Sequence, residues 1–260
     1  MMKKISSILF VLLLMLASFT AGTQYPRGDV DYNGKVNIAD VVTLIDYLLT
    51  GTWEEPVTPP DNHEWVDLGL PSGTLWATCN VGANAPEEYG DYFAWGETEP
   101  KDVYNWSTYK WCNGSNNTMT KYCCNSSYGY NGFVDNKTEL DPEDDAAYIN
   151  WGTSWRMPSI VQWQELYGNC TIQWTQKNGV NGQLVTGPNG NVLFLPAAGG
   201  RLDDSLNDAH SFGNYWSRTL DSSTSNETYI RYFESGDWSS DYPGSRCHGY
   251  TIRAVSESQN

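Results

Sequence analysis

The sequence predicts an α+β fold in which short antiparallel strands are interrupted by two helices. From residue 64 onward, β-branched and aromatic residues occur in short runs separated by Gly, Pro, Asn and Asp, which favours many short strands. Only two segments in this region begin with residues typical of helix starts. Because the 260 residues include 24 Gly and 12 Pro, we expect long loops and not a doubly wound parallel sheet.

The individual elements follow from where turn residues interrupt these runs. The predicted strands span residues 65–70, 74–78, 91–95, 183–186, 192–195, 215–218, 228–233 and 250–255. The first helix is expected to have Asp141 as its N-cap and Pro142 at its first position. The second is expected to begin at Ser159, where Ser159 and Gln162 form a capping box, and to end near Gly168.

A cluster of acids surrounds the first helix start and suggests two interpretations. Its members are Glu139, Asp141, Glu143, Asp144 and Asp145. One interpretation is a second calcium site. The other is capping, because acidic side chains near a helix N-terminus accept its free N–H groups and interact favourably with its dipole. We expect capping, which accounts for the cluster without a metal.

Composition and charge exclude several classes of protein. The chain carries 31 Asp and Glu against 15 Lys and Arg, a formal charge of −16, so that nucleic acid is not an expected partner. Aromatic residues make up 14% of the chain, which is enough apolar surface to argue against wholesale disorder. Charged residues, at 18%, are too sparse for a coiled coil. We therefore expect an acidic, aromatic-rich globular protein.

Residues 1–22 have the pattern of a secretory signal peptide. Lys3 and Lys4 precede an apolar stretch over residues 5–17, and small residues follow it. The stretch is shorter than the roughly 20 residues needed to span a bilayer, and no later segment is apolar enough to do so. We therefore expect a secreted or cell-surface location outside the bacterial cytoplasm, without a transmembrane anchor after cleavage.

The cysteine content suggests disulfide bonds. The six cysteines are Cys79, Cys112, Cys123, Cys124, Cys170 and Cys247. An even number in an exported protein favours disulfides over catalytic thiols, and the spacing does not fit a zinc site. Two similar tetrapeptides around residues 112 and 123 suggest a hairpin in which Cys112 faces Cys123 or Cys124. The sequence does not determine the connectivity.

A calcium-binding loop is predicted near the N-terminus. Carboxylate, amide and carbonyl oxygens at alternate positions of a tight loop are the ligands that calcium prefers, and the glycine at position 34 allows the sharp turn. The expected ligands are Asp29, Asp31, Asn33, Lys35 through its carbonyl, Asn37 and Asp40. An amphipathic helix follows the loop, and then a proline-rich linker over residues 51–63, in which His63 is expected to be solvated.

The calcium loop and its helix, within residues 23–50, resemble one repeat of a type I dockerin. The resemblance rests on residues 28–49 and implies a calcium-stabilised element that attaches secreted polysaccharide-degrading enzymes to cohesin-bearing partners. Dockerins normally contain two such repeats, whereas one is found here. The positions that commonly hold Ser-Thr at the cohesin contact are Ile38 and Ala39.

Residues 64–258 resemble the fibrobacter major paralogous (FISUMP) domain of secreted gut and rumen bacterial proteins. The matching segments span residues 66–77, 89–97, 144–147, 155–158, 194–199, 215–217 and 252–253. The segments near Trp155 and Arg253 are more distantly similar to formylglycine-generating enzymes, which implies a C-type-lectin-like fold. The activity is not implied, because that family uses a pair of cysteines near the C-terminus and only Cys247 lies there.

Motifs for catalysis are scarce in the large domain. The sequence lacks G-x-S-x-G, H-E-x-x-H and a phosphate-binding glycine loop, and His210 and His248 are its only histidines. Two carboxylates close to tryptophans, Glu97 and Glu165, are candidates for glycoside hydrolysis.

The tryptophans suggest both core packing and surface contacts. We expect Trp76, Trp155 and Trp216 in the core, because they lie within strand-like motifs. Exposed tryptophans stack on sugars or anchor protein interfaces. The candidates for such contacts are Trp53, Trp106, Trp111, Trp151 and Trp238.

These observations lead to a functional hypothesis with two alternatives. The hypothesis is a secreted, non-catalytic binding or adhesion module that recognises glycan or protein at the bacterial surface and carries a calcium-binding dockerin-like repeat. The first alternative is an accessory polysaccharide-degrading hydrolase docked to a larger complex. The second is a structural surface protein.

Overall fold

Eleven strands and two α-helices form the described part of the chain, which is residues 63–235 and 239–256 of a computed structural model. The strands are β1 Trp65–Asp67, β2 Leu75–Ala77, β3 Thr171–Lys177, β4 Val180–Thr186, β5 Val192–Pro196, β6 Gly200–Leu202, β7 Ser205–Asn207, β8 Phe212–Leu220, β9 Glu227–Glu234, β10 Ser239–Ser245 and β11 Val255–Ser256. The helices are α1 Ala146–Trp151 and α2 Ile160–Asn169. None of the described helices has the length and apolar character needed to cross a membrane.

The strands form small antiparallel sheets, so that the predicted α+β class is confirmed. Two of the sheets are three-stranded meanders, β3-β4-β5 and β8-β9-β10, and β6 and β7 form a separate hairpin. The remaining sheet has the order β1-β2-β11. In it, Trp76 of β2 pairs with Val66 on one side and with Val255 on the other. The first and last described strands therefore lie in one sheet.

Seven of the eight predicted strands overlap strands of the structure, although segment 250–255 overlaps β11 only at Val255, and segment 91–95 was predicted wrongly. These two segments meet in a single bridge, in which Phe93 and Tyr250 exchange backbone hydrogen bonds of 3.0 and 3.1 Å. The N–H of Trp95 instead donates to the carbonyl of Arg246. Because neighbouring residues of these segments bond to different parts of the chain, the segments form no continuous ladder of hydrogen bonds. The next regular strand is β11.

Strand β3 was not predicted, although the sequence carries a signal for it. Asn178 and Gly179 form the two-residue turn between β3 and β4, with φ of 49° and 84°. An Asn-Gly pair is the preferred sequence for such a hairpin, because both central residues need positive φ. Most residues of β3 are polar and exposed, so the composition of this segment did not indicate a strand despite the turn that follows it.

The first helix begins later than predicted, because Asp145 and not Asp141 is its N-cap. The Asp145 backbone is extended, and its side chain accepts hydrogen bonds from the N–H groups of Ala147 and Tyr148. Residues Pro142–Asp144 form only a 3-10 turn, for which Asp141 makes no side-chain cap. The second helix agrees with the prediction, because Ser159 and Gln162 form the capping box and the helix ends at Asn169.

The core is rich in tryptophan. Trp76, Trp155 and Trp216 are fully buried, as predicted. Trp151 was predicted as a surface contact but is only 6% exposed, because it lies on α1 and packs against Trp155. His63 was predicted to be a solvated linker residue, but its ring stacks on Trp151 with centroids 4.0 Å apart.

The stretch from residue 78 to residue 141 contains no strand or α-helix, and aromatic side chains hold it in place. Tyr109 donates its hydroxyl to the carbonyl of Trp95 at 2.7 Å. The indole of Trp95 donates to the carbonyl of Ser217 at 2.8 Å, and the hydroxyl of Tyr92 donates to Ala198 at 2.6 Å. These rings fill the core while their polar atoms bond carbonyl groups that no sheet satisfies.

Arg246 is the central connection of this region. Its side chain is fully buried, and it donates to the Tyr109 hydroxyl at 2.9 Å and to the carbonyls of Tyr122, Ser225 and Lys121 at 2.9, 2.7 and 3.0 Å. Aromatic rings surround the guanidinium, among them Trp95 at 4.8 Å. No carboxylate of the described residues forms an ion pair with it.

Replacing Arg246 by Met is expected to lower the free energy of unfolding by more than about 3 kcal/mol, because three buried carbonyls and a phenol would lose their donor. Urea denaturation measures the change. Arg201→Met is the matched control, since that guanidinium is half-buried and lies over the Tyr92 ring, a contact of about 1 kcal/mol or less. Equal losses for the two variants would contradict the role of Arg246.

Candidate functional site

The predicted calcium site falls outside the described residues. This applies to Asp29, Asp31, Asn33, Lys35, Asn37 and Asp40, to the signal peptide, and to Trp53 and Trp238. Within the described residues, no group of three or more His, Cys, Asp or Glu side chains is arranged to hold a metal ion.

The acid cluster at the start of α1 surrounds an ammonium group. The Nζ atom of Lys121 lies 2.6 Å from an oxygen of the buried Asp144, 2.8 Å from Asp141 and 3.8 Å from Glu143. The hydroxyl of Tyr122 donates to the same oxygen of Asp144 at 2.6 Å. A lysine thus supplies the positive charge at the place where the sequence suggested a metal.

The remaining two acids of the cluster pair with arginines. Asp145 is fully buried and accepts from Nε of Arg156 at 3.0 Å, while Glu139 lies 3.3 Å from Arg218. Each acid therefore has a structural partner, which agrees with the non-metal interpretation of the cluster.

The electrostatics of this cluster keep the pair of Lys121 and Asp141 charged. Burial acts to raise the pKa of Asp141, but hydrogen bonds from Lys121 and Lys137 lower it to about 2. Burial acts to lower the pKa of Lys121, and hydrogen bonds to Asp141 and Asp144 outweigh it, so that this pKa is raised. A lysine that stays protonated cannot serve as a nucleophile or a general base.

The two carboxylates considered for hydrolysis have structural partners as well. Glu97 forms an ion pair of 2.8 Å with Lys101 and accepts from the N–H of Lys110 at 2.8 Å. It lines a shallow depression of about 190 Å³, together with Thr98, Glu99, Thr108 and Lys110. Glu165 accepts from the N–H and the hydroxyl of Ser72 at 2.8 and 2.5 Å. Both acids therefore hold neighbouring loop residues in place through these contacts.

The histidines and the C-terminal cysteine do not form a nucleophilic pair. Nδ1 of His248 lies 3.1 Å from the hydroxyl of Tyr250, and burial lowers the pKa of this histidine. The ring of His210 lies against Tyr89. Burial raises the pKa of Cys247 to about 12, so that the group is a thiol at neutral pH and a poor nucleophile.

All six cysteines are free thiols in the structure, and the predicted hairpin register is wrong. Cys112 forms a bridge with Met119, seven positions away, and does not face Cys123 or Cys124. The thiol of Cys112 contacts the carbonyl of Trp106 at 3.1 Å. Disulfide formation in an oxidising compartment stays a prediction.

Three aromatic rings lie on one face of the β8-β9-β10 sheet, and we call them the aromatic strip: Phe212, Tyr232 and Tyr242. One ring comes from each strand. The ring centroids of Phe212 and Tyr232 are 5.5 Å apart, and those of Tyr232 and Tyr242 are 6.5 Å apart. Tyr242 is 56% exposed, and the other two are half-buried.

Strand register explains why these rings share a face. Asn214 of β8 and Ser240 of β10 both pair with Tyr232, and side chains two residues apart on a strand point to the same side. The opposite face carries Tyr215 and Phe233, which are fully buried in the core. The face of the strip also carries Trp216 and Ile230, which are buried in a second core cluster against which Tyr232 packs, so the strip occupies only part of this face.

The polar groups beside the strip are acceptors and neutral side chains. The hydroxyl of Tyr232 donates to an oxygen of Glu234 at 2.8 Å, and burial together with this carboxylate raises the pKa of the phenol. By register, the nearest neighbours on this face are Asn214 and Ser240. No Lys or Arg lies on this face of the described strands between residues 212 and 216, 230 and 234, or 240 and 242.

Sequence reasoning did not identify the strip. It singled out tryptophans, of which Trp106 and Trp111 are half-buried and Trp111 donates its indole N–H to the carbonyl of Gly96 at 2.7 Å. Tyr232 lay within a predicted strand, and its alternation with buried Arg231 and Phe233 was the available signal. Tyr242 lies on β10, which the sequence did not predict.

No family model, curated protein or solved structure matches the chain.

Replacing Asp141 by Asn tests the ion-pair cluster through its pH dependence. The pKa of Asp141 is about 2 in the folded chain and about 4 in an unfolded one. Between these values the unfolded chain binds more protons, so the stabilisation is complete above about pH 4 and is lost as the pH falls through about 2. The stability difference between the wild type and Asp141→Asn should therefore be largest near neutral pH and shrink in that window.

Urea denaturation at a series of pH values measures this difference. Asp204→Asn serves as the control, because it removes an exposed acid that forms no ion pair with described residues. A difference for Asp141→Asn that stayed constant down to about pH 2 would contradict the ion-pair role.

Proposed function

We propose that this chain is a secreted, non-catalytic module that binds glycan at the bacterial surface. The aromatic strip is the observation that carries the proposal. Sugar rings present apolar C–H faces that pack on aromatic side chains, while their hydroxyls need hydrogen-bonding groups nearby. Tyr242 provides exposed aromatic surface, and Glu234 and the hydroxyl of Tyr232 provide the polar groups.

The partners of the candidate acids favour binding over hydrolysis. Glycoside hydrolysis needs one carboxyl group that can donate a proton and a second carboxylate placed across the bond to be broken. Glu97 forms an ion pair with Lys101, and Glu165 accepts two hydrogen bonds from Ser72.

We also propose that the described domain has the C-type-lectin-like fold that its FISUMP-like segments imply. The two helices, the small antiparallel sheets and the long loop region from residue 78 to residue 141 support this assignment. The sheet β1-β2-β11, which joins the first and last strands, supports it further. In such a fold the loops and outer sheets can vary without disturbing the core.

The N-terminal element is proposed to bind calcium and to attach the protein to a partner. The support is the donor set: carboxylates at residues 29, 31 and 40, amides at 33 and 37, and the carbonyl of residue 35 match the oxygen preference of calcium. The dockerin-like pattern suggests a cohesin-like or other surface protein as that partner. The large domain would then be displayed outside the cell, and glycan binding would place it on polysaccharide that other proteins degrade.

A glycan array probed with the full chain tests the proposed binding. We expect signals from polysaccharide fragments, and we expect Tyr242→Ala to weaken them by about tenfold, the equivalent of one lost ring contact. Tyr130→Ala is the control, because Tyr130 is 44% exposed and lies outside the strip. An array without any signal would refute glycan binding.

Calorimetry tests the calcium proposal. The double variant Asp29→Ala with Asp40→Ala is expected to abolish calcium uptake by the full chain, because it removes the first and last ligands of the loop. Asp204→Ala, an exposed acid in the large domain, should leave uptake unchanged. Normal uptake by the double variant would show that calcium does not bind at this loop.

A further inference from the structure

We infer that the aromatic strip binds a linear glycan without acidic groups, which lies across β8, β9 and β10 with about one sugar ring for each aromatic ring. This inference rests on the proposed glycan-binding function and adds to it the direction, the length and the charge of the ligand.

The direction follows from the arrangement of the strip. Each of the three neighbouring strands contributes one ring, and by register Phe212 lies opposite Glu234 whereas Tyr242 lies opposite Ile230, so the line through the rings crosses the strands diagonally. Adjacent strands are about 4.8 Å apart, and the centroid spacings of 5.5 and 6.5 Å exceed that repeat because the rings are also offset along the strands. These spacings are close to the width of a single sugar ring, so that an extended oligosaccharide can contact all three aromatic rings.

The shape of this face favours a chain over a single sugar. Tyr242 lies on β10, which is the outer strand of its sheet, and its ring is more than half exposed. A monosaccharide on such an open surface would contact one ring only, and its affinity would be low. Each further unit adds one more ring contact until the strip is fully covered.

The charge of this face disfavours acidic glycans. Glu234 stands beside Tyr232, and its carboxylate accepts the phenol hydroxyl. No Lys or Arg lies on the described part of this face to balance a uronate or a sulfate, and the whole chain carries a formal charge of −16. Bringing an acidic sugar to the strip would place like charges together, whereas neutral hydroxyls can donate to the free lone pairs of Glu234.

Isothermal calorimetry with the full chain and two series of oligosaccharides tests the inference. The neutral series contains the mono-, di-, tri- and hexasaccharides of cellulose and of xylan, and the acidic series contains oligogalacturonates of the same lengths. We expect the affinity for a neutral series to rise by about tenfold for each unit up to the trisaccharide and then to level off. We expect no comparable affinity for the acidic series, and no loss of neutral binding in high salt.

Variants of Tyr242 separate loss of a ring contact from loss of structure. Tyr242→Ala should make the trisaccharide bind no better than the disaccharide, while the affinity for the disaccharide remains. Tyr242→Phe should behave as the wild type, because it keeps the ring. Tyr130→Ala should leave the whole length profile unchanged.

The outcomes distinguish this inference from the function on which it rests. Binding that does not depend on length, or that prefers oligogalacturonates, would overturn the inference while glycan binding itself stands. Unchanged length dependence in Tyr242→Ala would place the ligand elsewhere and would also overturn it. If neither series nor any glycan of the array binds, the proposed function fails together with the inference.

Discussion

The buried guanidinium of Arg246 is the interaction on which the loop-rich part of the domain depends. An arginine without a carboxylate partner is costly to bury, yet here its donors meet three carbonyls from two separate segments and the hydroxyl of a tyrosine in a third. Its planar group offers five N–H donors in a fixed geometry and stacks on aromatic faces. A lysine could not bridge so many acceptors, and an apolar residue would leave them without donors.

The need to supply hydrogen-bond donors to buried carbonyl groups also explains why the chain is rich in Tyr and Trp. A segment without strands or α-helices still has to satisfy its buried carbonyl groups. Tyr109 does this for the carbonyl of Trp95, while the polar atoms of Tyr92 and Trp95 bond the carbonyls of Ala198 and Ser217 and so tie the segment to other parts of the domain. The remainder of each ring fills the interior. Part of the aromatic content of the described residues is therefore a means of folding long loops, and other rings, including those of the strip, are partly exposed.

Local sequence signals predicted the elements that local interactions determine. The capping box at Ser159 was found because its two partners are three residues apart, and seven strands were located from β-prone runs, one of them by a single residue. The N-cap role of Asp145 was missed although its partners are local, because Asp141 followed by Pro142 gave a competing helix start. The burial of Trp151 was missed because it depends on packing between α1 and distant segments. Lys121 at the centre of the acid cluster was missed for the same reason. The aromatic strip could not be predicted because it depends on how three strands pair, and the sequence of β10 does not strongly indicate a strand.

The sheet β1-β2-β11 has a mechanical consequence for a protein held at a surface. Because β2 is antiparallel to both of its neighbours, β1 and β11 run in the same direction. A pull on the chain before residue 65 and after residue 256 therefore acts at opposite ends of this sheet and loads its hydrogen bonds in shear.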